Sequence, residues 1–120
     1  MNAKQAPRSV FRTDPVPPGH WLLAAAAIAG AALILNLPTL RFDFVSWDDS
    51  RYVTENPWIR GWTAENLRHI FTHSYFVSYM PLQLVSYVLD YSLWGLRPFG
   101  YHLQQILLHA LDSVLAFELV

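Results

Sequence analysis

The chain has 120 residues, 53% of them hydrophobic and 15% aromatic, with only 14% charged and no cysteine. Soluble domains carry roughly 25% charged residues, so the shortage points to a membrane. A net charge of −1 with Lys and Arg scattered singly leaves nucleic acid without a basic face to bind, and the missing thiols exclude disulfides, a cysteine nucleophile and thiolate metal sites.

Residues 1–19 are polar and proline-rich, hold Lys4, Arg8 and Arg12, and lack apolar periodicity, which predicts a disordered cytoplasmic tail. Over 20–40 the text becomes "HWLLAAAAIAGAALILNLPTL", uncharged and apolar for long enough to cross a bilayer, with Trp21 and Arg41 suited to the two interfaces. A cleaved signal peptide fits less well, because the leading tail is long and no small-residue cleavage site follows the run. The tail holds three basic residues against five in the longer stretch to Arg97, so raw count favours the loop side and density the tail; density puts the N-terminus inside.

An extracytoplasmic loop is predicted over 41–80. "ENPW" reads as a turn, since Pro57 restrains Asn56 to extended conformations. In "GWTAENLRHIF" Thr63 can cap a helix, Glu65 suits its positive end, and Leu67, Ile70 and Phe71 share a face, giving a short amphipathic helix able to lie on a membrane surface. Residues 81–96 read as an interfacial or partly embedded helix, with Pro81 opening it, Gly95 closing it, and Gln83, Ser86 and Asp90 forming a narrow polar stripe. The segment 100–120 carries a similar stripe of His102, Gln105, His109 and Asp112, which should face other helices or water. Apolar residues still run at Val120 with no interfacial anchor, so this segment reads as a truncated second transmembrane helix. The fold class is therefore all-α and integral to the membrane: one complete span, a loop with short interfacial helices, and the start of a second span.

Three constellations could carry chemistry. "WDD" places Asp48 and Asp49 side by side near the bilayer. Two acids in a polar loop are ordinarily solvated, yet carboxylates beside aromatics at a low-dielectric boundary gain proton affinity and can act as bases. His69 and His73 stand at metal-ligand spacing, but "HIFTH" lacks the glutamate of zinc proteases, and interfacial histidines that merely hydrogen-bond are commoner. Arg51, Arg60 and Arg97 could bind a lipid phosphate or simply pair with carboxylates.

Taken in order, the first apolar helix, "WDDSRYV", "PLQLVSYVLDY" and "LWGLRPFGYHLQQILLHAL" resemble the amino-terminal portion of polytopic membrane glycosyltransferases of the protein O-mannosyltransferase type. The likeness is nearest to the transmembrane and tetratricopeptide repeat-containing proteins, and covers roughly Trp21 to Val120. It implies transfer of a sugar from a polyprenyl-phosphate donor to a protein or lipid hydroxyl, with the acidic pair at Asp48 and Asp49 and one of the two as the catalytic base; Arg51, by its own chemistry, is the candidate phosphate or carboxylate partner. It implies no resident cofactor, leaves a divalent metal open, and puts the acidic loop on the outer side of a bacterial inner membrane. Such enzymes build their donor pocket from many helices, and no tetratricopeptide period occurs here, so the chain alone is expected to be an inactive amino-terminal part. Two rival readings are a non-enzymatic membrane anchor or assembly subunit, and a proton or ion pathway component using the His and Asp stripe.

Overall fold

The computed structural model describes residues 18–119, and all of its regular structure is helical. Helix α1 runs Pro18–Asn36, followed by a 3-10 turn over Leu37–Arg41. The loop contains a π-helical turn, Ser50–Thr54, and a 3-10 turn, Pro57–Ile59, and leads to α2, Ala64–Thr72. Helices α3, Pro81–Trp94, and α4, Pro98–Glu118, complete the chain. The tail expected over 1–19 falls outside the described residues except at its end, where Pro18 and Gly19 already belong to α1. Proline's fixed φ is pre-organised for a first helical turn.

Helix α1 is built from Leu, Ala and Ile with no polar face, the composition of a helix surrounded by apolar material on every side. Together with the turn after it, the stretch Gly19–Arg41 is long and apolar enough to cross a membrane. Only 11% of its most apolar window is buried by the rest of the chain, so its surface is left for lipid. The helix gives way before Pro38, and the released backbone is caught locally: the Asn36 amide donates to the Ala32 carbonyl at 2.8 Å, and the Thr39 hydroxyl to the Asn36 carbonyl at 2.8 Å. Helix α1 packs along α4, whose 21 residues span about 30 Å at the usual rise.

The other helix ends follow local rules. Thr63 Oγ1 accepts from the Asn66 N–H at 3.1 Å and so caps α2. Prolines stand at the openings of α3 and α4, and Gly95 closes α3 with φ +62° and ψ −128°, a conformation that a Cβ would strain.

A small core joins the loop to the helices: Tyr52, Val53, Ile59, Ile70, Leu84, Val88 and Tyr101 are all buried together. The loop reaches it by reversing direction around Asn56, which is wholly buried. The Asn56 amide donates to the Tyr52 carbonyl at 3.1 Å and its Oδ1 accepts from the Trp58 N–H at 2.9 Å. Arg60 adds a second tie, donating from Nη2 to the Val53 and Thr54 carbonyls while its guanidinium lies 4.6 Å over the Tyr91 ring of α3.

Substituting Asn56→Ala would strand the buried Tyr52 carbonyl, at about 1–3 kcal/mol, and remove the partner of the half-buried Trp58 N–H. Thermal unfolding in detergent, followed by near-ultraviolet circular dichroism of the loop aromatics, should show a clear drop in midpoint. An unchanged midpoint would mean that the reversal does not depend on this side chain.

Candidate functional site

The stretch after Arg41 runs extended through Phe42 to Val45 and then turns at Ser46 and Trp47 into the π-helical turn. Asp49 closes this turn: its Oδ2 accepts from the Val45 N–H at 2.9 Å, while the Ser50 hydroxyl donates to the Trp47 carbonyl at 2.9 Å. The carboxylate is thereby fixed relative to the end of the spanning helix. Asp48 differs from its neighbour, being exposed and without such an anchor.

Asp49 lines a cavity of about 250 Å³ shared with Phe44, Val53, Gln83, Tyr87, His102 and Gln105. The polar stripes of α3 and α4 thus meet the acidic loop at Gln83, His102 and Gln105. Gln83 Nε2 donates to the Tyr87 hydroxyl at 2.7 Å, which leaves the phenolic proton available to a ligand. Burial raises the Tyr87 hydroxyl above the usual phenol value; the Gln83 hydrogen bond opposes this, and the Asp49 and Asp90 carboxylates reinforce it. His102 Nε2 is buried with no partner among the described residues, a polar atom ready for a hydroxyl or phosphate oxygen. Together these groups make a small polar chamber with a carboxylate, a phenol, an imidazole and two carboxamides beside a membrane helix.

Arg51 lies elsewhere. It pairs with Glu55 at 3.2 Å on the exposed side of the π-helical turn and does not line the Asp49 cavity. Exposed pairs of this kind contribute little. Arg60 donates from Nη2 to the two carbonyls and lays its guanidinium over the Tyr91 ring, while its buried Nη1 has no hydrogen-bond partner among the described residues. Of the basic residues singled out in the sequence, Arg51 and Arg60 therefore have partners within the loop itself.

His69 and His73 stack with Trp58 into a ladder, with ring centroids 3.7 Å and 4.6 Å apart. His73 Nδ1 also meets the Thr72 hydroxyl at 2.7 Å. Among the described residues no group of three or more His, Asp or Glu side chains is placed to hold a metal ion. Burial of His69, with the adjacent His73 ring adding to it, lowers its pKa below the usual 6.5.

The joint chamber was only partly visible in the sequence. The stripes marked Gln83, His102 and Gln105 as polar positions needing cover, but nothing local linked them to Asp49. Tyr87 escaped notice because an aromatic on a largely apolar helix reads as packing.

No family model matches the chain, and no solved structure matches it. The chain is 35% identical over 97 residues, 74% of its length, to "Protein O-mannosyl-transferase TMTC2" of Mus musculus and equally to that of Homo sapiens. It is 34% identical over 104 residues, 80% of its length, to "Protein O-mannosyl-transferase Tmtc1" of Drosophila melanogaster. The chain spans 12% of the length of these relatives.

Because the lowered His69 pKa favours the neutral ring in the fold, its contribution to stability is complete above pH 6.5 and declines as acidification takes the pH below 6.5 toward the folded value. Proton NMR of the His69 ring should give a titration midpoint below 6.5, and His73→Gln should move that midpoint upward. A midpoint at 6.5 that ignores His73→Gln would remove the ladder as its cause.

Proposed function

We propose that this chain supplies the acidic extracytoplasmic loop of a membrane glycosyltransferase that moves a sugar from a polyprenyl-phosphate donor to a protein or lipid hydroxyl. The observation that carries the reading is Asp49, held by the Val45 N–H in a polar chamber beside a membrane helix, in a chain homologous to proteins named as O-mannosyl-transferases. Asp48, its exposed neighbour, is the second candidate carboxylate, and Arg51 the remaining candidate for contact with phosphate at the loop surface.

In the reaction the acceptor hydroxyl oxygen attacks the anomeric carbon. As that C–O bond forms, the bond from the carbon to the phosphate oxygen breaks, and its electron pair leaves with polyprenyl phosphate. The hydroxyl grows acidic as it attacks, so Asp49 can take its proton late in the transition state. Phosphate is a good enough leaving group to depart without a strong acid, and one base suffices. The Tyr87 hydroxyl and His102 Nε2 lie in the same chamber and can orient the acceptor by hydrogen bonding. A chain spanning an eighth of its relatives' length would need further helices to enclose the donor, so transfer is expected from the larger assembly and not from these residues alone.

The density of basic residues in the tail supports the outward side for the loop: with residues 1–19 inside, the loop would meet a lipid-borne sugar at the outer interface. In a bacterium this would be the inner membrane.

Glycosyl transfer should be measured in membranes expressing the whole reading frame that encodes these residues. Asp49→Asn should lower it by about a hundredfold or more at matched expression, the usual range for losing a general base, and Asp48→Asn by clearly less. Full transfer by Asp49→Asn would take this carboxylate out of the chemistry.

A further inference from the structure

The Val45 N–H that holds Asp49 belongs to the extended stretch Phe42 to Val45, and of those four residues only Phe44 is turned inward. Among the described residues no hydrogen bond ties residues 42–49 to α3 or α4. An aromatic contact does so instead. The Phe44 ring meets the Tyr101 ring of α4 edge-on, with centroids 5.2 Å apart and planes at 77°, the arrangement in which the positive edge of one ring faces the negative face of the other.

Tyr101 is itself held firmly. It is 5% exposed, its hydroxyl donates to the Gly95 carbonyl at 3.0 Å, and its ring centroid lies 5.9 Å from that of Tyr87. Gly95 closes α3, and Gly100 faces Trp94 so closely that a Cβ would overlap the indole, so the start of α4 is pressed against the end of α3. Two cavities meet at this junction: Tyr101 lines the Asp49 chamber, and Gly100 lines a cleft of about 550 Å³ between α3 and α4 that is walled mainly by leucine.

A continuous path thus runs from the α3–α4 junction through the Tyr101 and Phe44 rings to the carboxylate. The peptide unit joining Phe44 to Val45 is planar, so a restrained Phe44 limits the directions open to the Val45 N–H. The bonds of Asn56 and Arg60 hold the chain after Asp49, and Phe44 holds the chain before it.

We propose that Phe44 and Tyr101 are positioning residues for Asp49, the edge-on ring pair setting the direction in which the carboxylate meets an acceptor hydroxyl. The inference rests on Asp49 acting as the base.

Two readouts test it. In the 120-residue chain in detergent micelles, Phe44→Leu keeps an apolar side chain and removes the ring. Amide hydrogen exchange at Val45 should quicken by about fivefold, the scale of losing one aromatic pair, while exchange at Trp58, whose N–H is held by Asn56, should not change. In membranes expressing the whole reading frame, the same variant should lower kcat by about tenfold with the donor KM unchanged, because a misdirected base slows the step without weakening binding. Phe44→Tyr, which retains the ring, should lose clearly less. Tyr101→Leu should act like Phe44→Leu, and the two together should cost little more than either alone. On an Asp49→Asn background Phe44→Leu should cause no further loss, because the group that it aims is gone.

Faster exchange at Trp58 as well as Val45, a raised KM in place of a lowered kcat, or an undiminished loss on the Asp49→Asn background would make Phe44 a general packing residue and overturn the proposal. A large loss in Asp49→Asn beside full transfer in Phe44→Leu would overturn it alone. Full transfer by Asp49→Asn would remove the base, and this inference with it.

Discussion

The hold that Asn56 and Arg60 keep on the carbonyls of Tyr52, Val53 and Thr54 is what lets a loop of short, irregular turns behave as a solid body. A segment of this kind carries many backbone groups that no helix or sheet satisfies, and in a core they would be prohibitive. Two side chains take up three carbonyls and an N–H at the reversal, so Tyr52, Val53 and Ile59 can be buried against α2 and α3. Arg60 then rests on Tyr91, which ties the same reversal to α3. Because Asp49 stands immediately before the π-helical turn, its position relative to α3 and α4 depends on that clamp.

The two long helices of the second half distribute their polar residues with equal economy. Along α3, Gln83 and Tyr87 serve the Asp49 chamber, whereas Ser86 and Asp90 line the leucine cleft. Along α4, His102 and Gln105 face the chamber and Gln104 the cleft. What reads in sequence as one narrow stripe on α3 is therefore divided between the Asp49 chamber and the leucine-walled cleft, whereas on α4 the cleft is met by Gln104, a residue outside the stripe. The division has a geometric cause. Residues three and four apart sit on one broad face of a helix, and two cavities on either side of α3 cut that face along its length.

Much of the architecture was legible because the signals are local. Thr63 three residues before Asn66, proline at the openings of α3 and α4, and Gly95 at a left-handed φ each act within one helical turn, and the apolar run of α1 needs no partner to be recognised. The extended loop was harder. Pro57 marks Asn56 as a turn residue, but its complete burial and its bonds to Tyr52 and Trp58 depend on how the loop folds back onto the helices, which no local pattern encodes. The split of "WDD" into an anchored Asp49 and an exposed Asp48 rests on one backbone N–H at Val45, and adjacent identical residues carry no mark that tells them apart.

That split also clarifies why a membrane-facing loop would hold neighbouring acids. Along an extended or turning backbone successive side chains point in different directions, so two adjacent carboxylates rarely share one task. Here the second acid bonds back to the chain and looks into a chamber that α3 and α4 furnish with a phenol, an imidazole and carboxamides, while the first remains at the surface. A base for an incoming hydroxyl must be fixed in direction, because a proton transfer tolerates only a narrow range of donor–acceptor distance. In the proposed reaction Asp49 would draw its direction from the Val45 N–H, a few residues after the end of the spanning helix.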